Sequence, residues 1–131
     1  MSKIFGIGTD IVHVPRIEDI LREHGDHFAE KILTPNELAH FKTVPPLSPA
    51  KFLAKRFAVK EAAVKALGTG FRGGIWLRDI EVHHDALGKP MLEFLGNAKQ
   101  ALQQSGIIET QLSTSDEKEY VVAFVVMIAK D

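Results

Sequence analysis

Residues 51–70 read KFLAKRFAVKEAAVKALGTG, and this stretch predicts one long helix around which the remaining elements are arranged. Ser48-Pro49 places a hydroxyl at the N-cap and proline at the first helical position, and Gly68 supplies the C-terminal stop. At 100° per residue, Phe52, Leu53, Phe57, Val59, Ala63, Val64 and Leu67 fill one apolar arc of roughly 160°. That arc faces a core. Arg56 and Lys60 nevertheless project from inside it, one turn apart, while Glu61 and Lys65 lie on its edge at the same spacing. Burying charge without a partner is costly.

Two readings of these charges are open. In the first, Arg56 and Lys60 lay their stems on the core and reach outward, and Glu61 and Lys65 form an ordinary surface pair. In the second, the helix is a cationic surface with one carboxylate in it. Lys51, Lys55, Arg56, Lys60 and Lys65 accompany a single acid, Glu61, in a chain with 16 basic and 17 acidic residues. Such a surface suits a phosphate ligand carried with a divalent cation: the bases meet the oxygens and the carboxylate holds the metal.

Upstream, residues 3–12, KIFGIGTDIV, predict a buried strand, with Gly6 and Gly8 marking close approach of a backbone or ligand. Asp10, near its end, is either a turn-forming carboxylate or an anion needing a cation. The second role requires another carboxylate. Pro15 opens an amphipathic helix with Ile17, Ile20 and Leu21 inward, Arg16 and Arg22 outside and Gly25 as its stop. DHFAEKIL predicts a short helix, and Thr34-Pro35-Asn36-Glu37 is a capping box before the next, ELAHFK.

Downstream, residues 68–76, GTGFRGGIW, form a glycine-rich connection that lacks P-loop order because it follows its helix. Strands are expected at 77–84 and 91–95, a helix at 97–104, and strands at 107–115 and 119–129 joined by Asp116-Glu117-Lys118. The last strand is almost wholly apolar, which predicts cover on both faces by helices or another subunit. None of the six histidines has a metal-ligand spacing, and all are read as surface or structural.

The 131 residues predict one domain, 1–131. With no cysteine, thiolate metal sites and a catalytic cysteine are excluded. A net charge of −1 gives no case for nucleic acid, and the absence of a long apolar run or cleavage-site pattern predicts a soluble, cytoplasmic protein without a membrane partner.

GTDIV around Asp10, RFAVKEAAVKALGTG from Arg56 to Gly70, the hairpin ending LGKP and the closing LSTSDEKEYVVAFVV together resemble the holo-[acyl-carrier-protein] synthases, small bacterial 4'-phosphopantetheinyl transferases. The resemblance runs the length of the chain. It implies an α+β fold, an antiparallel sheet packed around one long central helix. It also implies Mg2+-dependent transfer of phosphopantetheine from coenzyme A to a serine of apo acyl carrier protein, for fatty acid biosynthesis, releasing adenosine 3',5'-bisphosphate. On this resemblance Asp10 and Glu61 bind the metal and Lys65 offsets charge on the pyrophosphate. Arg56, Lys60 and the Gly68-Thr69-Gly70 turn hold the donor. Arg16 and Arg22 dock the carrier protein, and the assembly is a homotrimer. The base for the serine proton is either Glu61 or a group near Asp116, where many relatives carry histidine; Asp116 either substitutes for it or is only a turn position. A non-catalytic module binding coenzyme A or a nucleotide is the alternative, and a structural oligomer held by helix charges is a third reading.

Overall fold

A computed structural model describes residues 1–131. The elements follow in the order β1 (Ser2–His13), α1 (Val14–His24), α2 (Asp26–Ile32), α3 (Pro35–Thr43), α4 (Pro49–Leu67), β2 (Ile80–His84), β3 (Pro90–Phe94), α5 (Gly96–Gln104), β4 (Ile107–Asp116) and β5 (Tyr120–Lys130). The class is α+β, with α4 against an antiparallel sheet of order β1-β5-β4 and a separate β2-β3 hairpin. The hairpin expected from the alternation at 77–84 and 91–95 forms a sheet of its own.

The punctuation of α4 is as its sequence predicts. Ser48 Oγ accepts from the Lys51 amide at 3.3 Å, and Gly68 closes the helix in the left-handed conformation. Its packing is more extensive than one arc. Ala54, Ala58, Ala62 and Ala66 are buried in addition to Leu53, Val59, Ala63, Val64 and Leu67, so the helix is enclosed on several sides. A hydropathy arc weights large side chains and misses an alanine stripe, whose small size lets another backbone come close.

That backbone is β1. A Cβ on Gly8 would lie 1.9 Å from the Ala62 carbonyl oxygen, and one on Gly6 would lie 2.1 Å from that of Ala66. Side chains alternate along a strand, so Gly6, Gly8 and Asp10 share the face turned to α4. A bulge between Ile4 and Gly6 sets this phase, with Gly8 opposite Val125 and Asp10 opposite Ala123 on β5. Val121, Ala123, Val125, Met127 and Ala129 cover the same face of β5 and are buried.

Within one chain the final strand is covered on one face; its other face, with Tyr120, Val122 and Phe124 45%, 37% and 44% exposed beside exposed Ile7 and Ile11 of β1, is left for the second cover that the sequence assigns to helices or another subunit. One boundary is corrected. The strand expected from Leu77 begins at Ile80, because Leu77–Asp79 makes a 3-10 turn in which the Asp79 carboxylate accepts from the Trp76 amide at 3.0 Å.

No helix is long and apolar enough to cross a membrane. Gly8→Ala places a methyl group where the α4 backbone stands, and is expected to cost ~1–3 kcal/mol or more in urea unfolding. Wild-type stability for this variant would refute the close approach.

Candidate active site

The face shared by Gly6, Gly8 and Asp10 carries the chemistry of β1 to α4. Lys65, in the last turn of α4, donates to the Thr9 carbonyl at 3.0 Å and to Asp10 Oδ1 at 3.1 Å. Lys65 therefore pairs across to the strand. Asp10 is largely enclosed, its side chain 16% exposed. The second oxygen, Oδ2, is buried and has no hydrogen-bond partner.

Glu61 sits one turn before Lys65, partly buried. Its pKa is raised, first by burial and then by the neighbouring Asp10 charge, with Lys65 opposing. Two carboxylates that repel one another, one with an orphaned buried oxygen, form a donor set that fits a hard divalent cation. Asp10 and Glu61 could hold such an ion.

Arg56 and Lys60 face elsewhere. Lys60 is fully buried; its ammonium donates to the Ile32 carbonyl at 2.7 Å and to Glu37 Oε1 at 2.5 Å. Burial lowers its pKa and the Glu37 charge opposes that shift. The expectation that Lys60 meets a donor phosphate is corrected: its charge is enclosed and answered within the protein. Arg56 Nε lies 3.5 Å from Glu37 Oε2 without a hydrogen bond, and its guanidinium covers the Phe52 ring at 4.5 Å. Its side chain keeps 14% exposure and lines a groove of about 300 Å³ with His40, His83 and His84. Burial, then Arg56, lowers the His84 pKa.

Glu37 was legible only as a cap. Both bonds of its capping box are present, yet the same carboxylate also accepts from Lys60 and, at 2.9 Å, from the Val82 amide. A box residue three positions after Thr34 was the available signal; its burial was not.

Gly68, Thr69 and Gly70 follow directly from α4 on its exposed end, with positive φ at both glycines. Arg16 and Arg22 are exposed on α1, and Arg22 pairs with Asp19. Asp116 is the last residue of β4 rather than part of a turn; it pairs with Lys51 at 2.8 Å and Lys55 at 3.3 Å, and their hydrogen bonds lower its pKa.

Another group of ligand-type atoms lies on the hairpin. Glu81, His83 and Glu93 bring one donor atom each to within 4.8 Å of one another, a set that could hold a metal ion. Glu81 and Glu93 are opposite in register, so this grouping arises only once the hairpin pairs.

The fold and these residues define a class. The chain belongs to the 4'-phosphopantetheinyl transferase superfamily, whose family model matches residues 6–125. Within it, the holo-[acyl-carrier-protein] synthase of Halorhodospira halophila is 54% identical over 125 residues, covering 95% of this chain and 98% of that protein. The crystal structure of the Neisseria meningitidis holo-[acyl-carrier-protein] synthase superposes with a TM-score of 0.89 at 47% identity, over 95% of this chain and 98% of that one. The Bacillus anthracis holo-(acyl-carrier-protein) synthase in complex with CoA (3',5'-ADP) gives 0.78 at 40% identity, over 97% and 98%.

The raised Glu61 pKa has a signed consequence. The folded protein keeps this proton to higher pH than the unfolded chain, so without a divalent cation stability falls as pH rises through the raised value. Urea unfolding in EDTA from about pH 4 to about pH 8 should show that fall in the wild type. Glu61→Gln should flatten it; equal slopes would refute the raised Glu61 pKa.

Proposed function

We propose that this chain transfers the 4'-phosphopantetheine group of coenzyme A to a serine hydroxyl of apo acyl carrier protein, supplying holo carrier for fatty acid synthesis. The observation that carries the reading is the Asp10, Glu61 and Lys65 group at the β1–α4 contact, in a chain 54% identical to a holo-[acyl-carrier-protein] synthase. Residues 1–131 act as a single domain in this account.

The serine oxygen attacks the phosphorus that bears the pantetheine arm. The bond to the bridging pyrophosphate oxygen breaks, and adenosine 3',5'-bisphosphate leaves with the electron pair. Asp10 and Glu61 would hold Mg2+, which supplies positive charge to the pyrophosphate oxygens. Lys65, 53% exposed and steadied by Thr9 and Asp10, directs a second positive charge to the leaving side. Gly68, Thr69 and Gly70 line the donor next to it. Of the two candidate bases Asp116 is held low by Lys51 and Lys55, which leaves Glu61 as the group assigned to the serine proton.

Exposed Arg16 and Arg22 suit an acidic carrier surface, an interaction that salt weakens. The uncovered apolar face of β1 and β5 suits packing of copies into a homotrimer.

Intact mass of apo acyl carrier protein after incubation with the protein, coenzyme A and magnesium should rise by one phosphopantetheine. EDTA and Glu61→Gln should abolish the gain, and Lys65→Ala should slow it ~10²-fold or more. Coenzyme A binding without any mass gain would instead establish a non-catalytic binding module.

Sedimentation equilibrium should return three times the chain mass for the wild type, and Phe124→Lys, which puts charge on the open sheet face, should lower it. A wild-type monomer or dimer would reject the trimer.

A further inference from the structure

The hairpin carries a group of charged side chains that the chemistry at Asp10, Glu61 and Lys65 does not use. Glu81 and Glu93 stand directly opposite one another across β2 and β3. Like charges in that position destabilise a strand pair, so the two carboxylates call for a cation between them. His83, two residues after Glu81 and on the same face of β2, brings its ring into that space. Its Nε2 lies 2.9 Å from Glu81 Oε2 and 2.9 Å from Glu93 Oε1.

One proton cannot serve both acids. An imidazole nitrogen carries at most one hydrogen, and only the contact with Glu93 has hydrogen-bond geometry. The Glu81 side chain is 5% exposed, so its charge is largely withdrawn from water. Thr34 Oγ1 donates to Glu81 Oε1, which leaves Oε2 turned to His83. A buried carboxylate oxygen, a carboxylate at the surface and an imidazole nitrogen therefore converge, with the three atoms all within 4.8 Å of one another.

We propose that Glu81, His83 and Glu93 bind a divalent transition-metal ion of the Zn2+ kind, at a site separate from the Asp10–Glu61 pair. The nitrogen decides the class of ion. Magnesium favours oxygen ligands in a near-ideal octahedron, whereas zinc takes histidine and carboxylate in a tetrahedron. At zinc bond lengths tetrahedral ligand atoms stand about 3.4 Å apart, so donors now 2.9 Å apart need to spread by only about 0.5 Å. Water completes the shell on the open side, where His83 and Glu93 are 48% and 55% exposed. Any proton on Nε2 is released as the ion enters. The Thr34 hydroxyl orients Glu81 from behind, as partners of metal ligands commonly do. The ion staples β2 to β3, a pair with no third strand beside it and therefore weakly held by pairing alone. This role is independent of the transferase reading.

The test is calorimetric titration with Zn2+ alone, the wild type beside three variants, with circular dichroism to check that each keeps its fold. His83→Phe and Glu93→Gln change side chains that are about half exposed. Each should weaken the site ~100-fold or more, since losing even a supporting partner of a ligand costs ~10–100-fold. Glu61→Gln should leave this site within about two-fold. In nitrogen-detected NMR, Zn2+ should move the His83 imidazole signal ahead of those of the other five histidines. It should also raise the urea midpoint of the wild type and not that of Glu93→Gln. Absence of Zn2+ binding by the wild type would overturn the proposal and leave His83 as an imidazolium shared between two acids. Binding that survives both hairpin variants, a shift confined to another histidine, or an equal rise in both urea midpoints would overturn it as well.

Discussion

The approach of the α4 backbone to β1 is the constraint on which the remaining structure depends. It exists because Gly6 and Gly8 have no side chains and because Ala62 and Ala66 are small, so strand and helix meet with backbone against backbone. The third residue on the same strand face is Asp10. Only a helix this close brings Lys65 within 3.1 Å of Asp10 and lets the Asp10 charge act on Glu61. Fold and site thus share one contact.

A second buried assembly holds the opposite side of α4. Glu37 accepts from the Thr34 and Val82 amides and from Lys60, tying α3, α4 and β2 through one carboxylate. Thr34 Oγ1 also donates to Glu81 at 2.5 Å, continuing the network into the hairpin. Removing one member of such a group would strand a buried charge, which typically costs ~3–5 kcal/mol. The network therefore fixes α4 in rotation as well as position, and rotation decides that Glu61 and Lys65 face β1 while Lys60 does not. The cationic count on the helix divides accordingly. Lys60 is internal, Lys51 and Lys55 engage Asp116, and Lys65 turns to Asp10.

Local signals were legible in proportion to how local their physics is. Ser48, Thr34, Pro15 and Gly68 mark helix ends because capping depends on a few neighbouring residues. The hairpin and the β4–β5 pair were legible from alternation and turns. The start of β2 was missed by three residues, since alternation does not register a carboxylate such as Asp79 folding back on its own turn. Lys60 was misplaced for a related reason: its counter-ion lies 23 positions earlier, and nothing in the helix periodicity points to Glu37.

By itself the sequence determined the elements, their order and the residue types available for phosphate chemistry, because propensity, capping and periodicity act within a few residues. The full-length motif resemblance determined the family in the same way, residue by residue along the chain. The tertiary structure alone decided which charges stay open to solvent and which stabilise the interior. It also decided the grouping of Glu81, His83 and Glu93 and the uncovered face of β5. The reason is that burial and pairing depend on distance in space, and residues 10 and 65 become neighbours only when two glycines let a helix lie on a strand.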